Sequence, residues 1–267
     1  MRLLKRLVTP SASFILGLTL ASSSWAASPG SVYQVSWIAD GALISASGMV
    51  SLLPYVFSSN LITRRCPCDP SEVNPIDRSV IGNSNPFLDS VSDVTVGAAV
   101  VAPILLDWQE LGASQPFAED LLVYSEVLSV NGALVSLAKY AAQRPLPRVY
   151  ADPHSELASR AGGFRSFYSG HVSLAVSALT ATAMTDRLRH GGSSWPWIIT
   201  AGIGTSVMIE RVAAGRHFYS DVIYGALAGL GVGTLIPLLH ARARDSGSDF
   251  KPLATVEHLG LAWNLHF

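Results

Sequence analysis

The chain has 267 residues, a formal net charge of −1, 49% hydrophobic residues and only 14% charged ones, with a mean hydropathy of +0.35. A soluble domain carries about 25% charged residues, so this composition points to a membrane protein or an unusually buried helical bundle. Near-zero charge without a basic run excludes a nucleic-acid footprint, and nothing reads as a linker between two cores.

Residues 1–27 read as a signal peptide. Arg2, Lys5 and Arg6 form a positive start, "SFILGLTLASSSWA" is apolar, and small residues near Ala26 and Ala27 suit cleavage. An uncleaved anchor helix is the alternative. Either one sends the chain to a cell envelope, that of a bacterium.

Six later segments are apolar enough for long helices, near 36–57, 91–107, 119–142, 168–186, 195–213 and 218–240, judged against the roughly 20 residues that a span needs. They predict an all-α protein, a membrane-embedded bundle of about six helices with its site at one end. Residues 28–118 would hold the N-terminal helices and a cysteine-containing loop, 119–240 the core, and 241–267 a tail. The first segment contains Asp40 and four serines, which suit an interfacial or packed helix more than a span. In the loop over 58–90, Cys66 and Cys68 are a cramped pair to bridge and too few to hold a metal, so their role is structural.

The third segment ends at Lys139, the only lysine within the helical body. A charge at membrane depth is functional or paired, unless it snorkels from a helix end. The following loop carries Arg144, Arg148, Arg160 and Arg165. Next, Ser169 and Gly170 precede His171 at a helix start, where free N–H groups make an anion site. His171 there could protonate a leaving oxygen; the plain alternative is a serine cap beside an incidental histidine.

Arg211 ends the fifth segment and His217 opens the sixth, four residues before Asp221. That spacing puts His217 and Asp221 on one helical face. A carboxylate on one imidazole nitrogen leaves the other as a nucleophile, and an arginine offers fixed donors to phosphate oxygens. If consecutive helices run antiparallel, Lys139, Arg144, Ser169, Gly170, His171, Arg211, His217 and Asp221 share one end of the bundle. Cations around an in-line nucleophile are what phosphoryl transfer needs. The closing "LGLAWNLHF" alternates as a β-strand would, and its terminal Phe is reminiscent of outer-membrane barrel ends.

Over roughly residues 120–225 the chain resembles the type 2 phosphatidic acid phosphatase superfamily. Its motifs are Lys-x6-Arg-Pro, Pro-Ser-Gly-His and Ser-Arg-x5-His-x3-Asp. Arg211, His217 and Asp221 match the third, with Glu210 in place of Ser. Ser169, Gly170 and His171 match the second, with Tyr168 in place of Pro. The first departs: "KYAAQRPLP" puts Leu146 where the arginine belongs, so Arg144 or Arg148 must supply the guanidinium. Arg144 is preferred because it keeps its own following proline.

The resemblance implies a metal-independent phosphatase that hydrolyses a lipid phosphate monoester or diphosphate through a phosphohistidine. It makes His217 the nucleophile, Asp221 its orienting group and His171 the acid. Lys139, Arg144, Arg211 and the amides near Ser169 and Gly170 would hold the phosphoryl oxygens. No metal or cofactor is implied, and the partners are the lipid substrate and the membrane, with no obligatory protein and no nucleic acid. The rival readings are a soluble or peripheral periplasmic acid phosphatase of broad specificity, a vanadate-dependent haloperoxidase, and a non-catalytic membrane protein of the same fold. Arg187, Arg189, Arg242 and Arg244 mark the opposite end as cytoplasmic. That predicts an inner-membrane protein with a periplasmic site; periplasm and outer membrane are the alternatives.

Overall fold

The computed structural model describes residues 30–242 apart from 64, 65 and 67. The signal peptide expected over 1–27 and the strand expected at the chain's end lie outside the described residues.

Six long helices carry the architecture: α1 (Trp37–Val56), α2 (Pro86–Leu111), α3 (Gln115–Ala142), α4 (Gly170–His190), α5 (Trp195–Ala213) and α6 (Tyr219–His240). Their starts follow capping rules. Ser36, Asn85 and Ser114 each accept a first-turn N–H through the side chain, and α2 and α3 carry proline in the first turn. Gly191, at φ 86°, closes α4 in the left-handed conformation that glycine tolerates. Among the described residues no strand forms, and the only extended pairing is a bridge between Tyr33 and Ala241.

The helices alternate up and down. Central α4 packs against α2, α3, α5 and α6, while α1 lies outside against α3. The α4–α6 contact is unusually close because glycine recurs every fourth residue of α6. A Cβ at Gly225, Gly229 or Gly233 would stand 2.7, 2.4 or 2.5 Å from the carbonyl oxygens of Ser169, Ser173 or Ser177. Small residues on one face let two backbones meet in this way. Register between α4 and α6 therefore sets Ser169–His171 against Asp221.

Four helical stretches are long and apolar enough to cross a membrane: Trp37–Val56, Pro86–Leu111, the run from Gln115 to Ala151, and Tyr219–His240. Twenty helical residues span about 30 Å, the thickness of a bilayer core. The first of these covers the segment 36–57, expected to be an interfacial or packed helix, and its length and composition suffice for a span. Ile38, Leu52 and Val56 of α1 are 60%, 68% and 73% exposed, a surface suited to lipid, and Asp40 sits at the helix start, hydrogen-bonded to the Ser36 N–H. In contrast, α4 and α5 are not among the four. The centre of α4 is buried in protein, with Ser173, Ser177 and Thr180 fully enclosed, and α5 carries Glu210 and Arg211. The described residues thus form an all-α bundle, consistent with a membrane protein. Cys66 and Cys68 form a disulfide in the loop between α1 and α2, with Cα atoms 4.7 Å apart.

Candidate active site

The end of α3, the starts of α4 and α6, and the end of α5 meet around an open cleft of about 370 Å³. Lys139, Gly170, His171, Arg211 and His217 line it, as do Arg165 and Arg216. The antiparallel order expected from the sequence brings these groups together.

His217 is 4% exposed. Its Nδ1–H donates to the carbonyl of Ser166 at 2.8 Å, which leaves Nε2 as the nitrogen with a free lone pair. Burial lowers the imidazole pKa to about 4; the charges of Lys139 and Arg211 push the same way, against the opposing pull of Asp221. His217 is therefore neutral at ordinary pH, the state a nucleophile needs.

Asp221 does not orient His217 by the direct hydrogen bond expected from their spacing. Its Oδ2 stands 3.8 Å from Nδ1. That oxygen instead accepts from Ser166 Oγ at 2.5 Å and from the Phe218 N–H at 2.9 Å, closing the first turn of α6. The carboxylate thus fixes Ser166, and the Ser166 carbonyl fixes the imidazole. A carboxylate four residues on can both cap the helix and hold the residue before it, and here the capping geometry wins.

Arg144, expected in the phosphate clamp, lies behind His217 and outside the cleft lining. Its guanidinium donates to Asp221 Oδ1 at 2.6 Å, to Ser220 Oγ at 2.7 Å and to Asp77 Oδ2 at 2.9 Å. It also covers the Phe218 ring at 4.1 Å. Asp77 accepts from the N–H and hydroxyl of Ser220 as well. Burial pushes the Asp77 carboxyl up, but hydrogen bonds from Ser220, Arg144 and Asn74 outweigh it and hold the group below the usual carboxylate range. Arg148, the other candidate, donates to the Ala214 carbonyl at 2.9 Å and faces Asp89 at 3.7 Å.

The cations that do reach the cleft come from three loops and helix ends. Lys139, 7% exposed, donates to the Arg165 carbonyl at 2.7 Å. Arg211 donates to Asp89 and to Ser92, both at 2.9 Å. Arg216 grips Asp89 with two nitrogens, at 2.9 and 2.6 Å. Asp89 therefore gathers three arginines and fixes two of them beside the cleft. Arg165 lies over the Tyr55 ring at 4.8 Å, so an aromatic from α1 supports its guanidinium. Leu146 lines the cleft, buried and apolar, where the motif expects an arginine.

His171 enters the cleft, and its Nε2 is 2.7 Å from Asp93 Oδ1 of α2. Ser169 does not enter it. The residue is fully buried, and its amide donates to the Asp221 carbonyl at 3.0 Å rather than facing a ligand. Gly170 is the part of that helix start that faces the cleft, and a Cβ there would stand 3.1 Å from Val135. Glu210 is buried and bonded to Ser206, away from the cleft lining.

Sequence reasoning missed Asp77, Asp89, Asp93, Asn131 and the two cleft arginines. Asp77 and Asp89 follow Asn-Pro pairs at helix starts, where a carboxylate reads as capping. Asn131 sits in an apolar helix; its Oδ1 accepts from Ser173 at 2.6 Å, and its Nδ2 has no acceptor among the described residues. Arg216, directly before His217, was the visible signal that went unused.

Residues 120–245 match the family model described as the PAP2 superfamily. No curated protein matches the chain, and no solved structure does. The family match, over somewhat less than half of the chain, suggests phosphatase activity.

Proposed function

We propose, from the premise of a PAP2-superfamily core over 120–245, that the chain is a phosphatase for a membrane lipid carrying a phosphate or diphosphate, working through a phosphohistidine at His217. The observation that carries this reading is the state of His217. The ring is neutral and buried, one nitrogen is tied to the Ser166 carbonyl, and it stands in a cleft with Lys139, Arg165, Arg211 and Arg216.

In this mechanism the phosphoryl oxygens lie against the four cations, which stabilise charge where it develops. His217 Nε2 attacks phosphorus in line, forming an N–P bond as the P–O bond to the lipid alcohol breaks. His171 gives its proton to that departing oxygen. Water then attacks phosphorus, returns a proton to His171 and releases inorganic phosphate with the original imidazole. Asp221 stabilises the transient positive charge on His217 through Ser166. Arg165 and Arg216 take the place of the motif arginine that Leu146 replaces.

The apolar surfaces of the candidate spans, and the cleft wall made by Ser51, Tyr55, Gly132 and Val135 of α1 and α3, favour a substrate with lipid tails. We read the site as periplasmic, in a bacterial inner membrane, because Arg187, Arg189 and Arg242 lie toward the far end of the bundle. The test is phosphate release from a panel of detergent-dispersed lipid phosphates, with His217→Ala as control. An acid-labile phosphoprotein should be trapped in the wild type. Equal turnover in His217→Ala would refute the mechanism, and turnover only of water-soluble esters by a detergent-free soluble fraction would refute the lipid reading.

A further inference from the structure

At the end of the bundle opposite the cleft, three helices bring ionisable side chains together: Asp40 at the start of α1, Glu126 in α3, and His240 at the end of α6. One ligand-capable atom from each lies within 4.8 Å of the others. His240 Nε2 stands 3.6 Å from Asp40 Oδ2 and 3.4 Å from Glu126 Oε2. Hydrogen bonds to these oxygens would bring the atoms to about 2.9 Å. Two ligands bound at about 2.1 Å to a tetrahedral ion stand about 3.4 Å apart, close to both distances from His240 Nε2.

Two further observations point to a cation. Glu126 is 4% exposed and its Oε2 has no hydrogen-bond partner, a costly state for a buried carboxylate oxygen. His240 Nδ1 meets the Ile236 carbonyl at 2.9 Å and must be the donor. Hydrogen-bonding the other ring nitrogen to a carbonyl is how proteins present Nε2 to a metal. In the neutral ring Nε2 presents its lone pair to two carboxylates, an arrangement that a cation between them stabilises.

We propose that Asp40, Glu126 and His240 bind one divalent transition-metal ion of the zinc class. One imidazole with two carboxylates suits such an ion better than magnesium or calcium, which take oxygen ligands alone. The ion ties α1 and α6 to α3. That is where α1 needs fastening, because α1 packs on the bundle chiefly through α3. The Gln34 N–H donates to the His240 carbonyl at 2.7 Å, so chain start and final helix already meet there. The site lies about 20 Å along α3 from Lys139, at 1.5 Å per residue, and the inference does not rest on the phosphatase reading.

The experiment is zinc binding to the full-length detergent-solubilised protein after chelator treatment and dialysis, with bound metal counted per chain. Wild type should bind one Zn²⁺ and gain thermal stability from it. Asp40→Asn and His240→Gln should each weaken binding at least tenfold, a loss typical of a deleted ligand or its support. His217→Ala should bind as wild type does, and Co²⁺ in place of zinc should give the visible absorption of a four-coordinate site. In Asp40→Asn the amide keeps an oxygen to accept from the Ser36 N–H, so the variant tests the site while retaining the helix start. No stoichiometric zinc in the wild type, or undiminished binding in both ligand variants, overturns the proposal. Loss of the ion in His217→Ala also overturns it, since the metal would then sit in the cleft.

Discussion

Arg144 holds Asp221 from behind the cleft, its Nη1 2.6 Å from Oδ1 of a carboxylate with no exposed surface. The same guanidinium pairs with Asp77, which is 2% exposed at the side chain. Removing one partner of a buried pair strands the other charge, a loss of about 3 kcal/mol or more. Arg144→Gln should therefore lower stability by roughly that amount in denaturant unfolding. Activity should fall through loss of fold and of the Asp221–Ser166 geometry. A variant with wild-type stability and a raised KM would instead put Arg144 on the substrate.

Arg165 gives the opposite expectation. It lines the cleft and forms no ion pair among the described residues. Arg165→Gln should leave the unfolding midpoint near wild type and reduce kcat/KM about 10- to 100-fold, or about 1.4 to 2.7 kcal/mol of transition-state stabilisation. Steady-state kinetics beside a thermal melt separates the two arginines. A loss in both measurements, as for Arg144, would remove Arg165 from the clamp.

The pH dependence follows from His217, whose pKa falls from its ordinary 6.5 to about 4. A protonated imidazole has no lone pair for attack, so the acid limb of kcat/KM should centre near pH 4. Stability follows the same protonation. Between about pH 6.5 and 4 the unfolded chain takes up a proton at this residue that the folded protein refuses. Stability is thus full above about 6.5 and declines toward 4, by roughly 3 kcal/mol for a shift of this size. Unfolding midpoints of wild type and His217→Gln, measured across that range, should converge as pH falls. An acid limb centred near 6.5 would contradict the burial argument.

The glycine seam predicts a sharp contrast within one helix. A Cβ at Gly229 would stand 2.4 Å from the Ser173 carbonyl oxygen, whereas one at Gly231 meets nothing within 4 Å. Gly229→Ala should destabilise by about 1–3 kcal/mol, the usual range for overpacking. Gly231→Ala should be neutral or stabilising, because alanine favours helix more than glycine does. Equal effects at the two positions would show that α4 and α6 do not pack at this register.

By itself the sequence determined the helical class and the six segments, and it brought forward the candidate chemical groups. Apolar runs set the first two, and the spacing of Arg211, His217 and Asp221 set the third. Up-and-down order then sufficed to place Lys139, His171 and His217 at one end. What it could not decide was which arginine faces the substrate. Arg144, Arg148, Arg165 and Arg216 are chemically equal along the chain, and the choice depends on which carboxylates claim them. Asp77 and Asp221 hold Arg144 behind the site, Asp89 gathers Arg148, Arg211 and Arg216, and Arg165 meets an aromatic ring from α1. Those partners are 59 to 127 positions away for the charge pairs. Only the close approach of helices across the bundle, permitted by glycines at one face of α6, brings them within hydrogen-bond range.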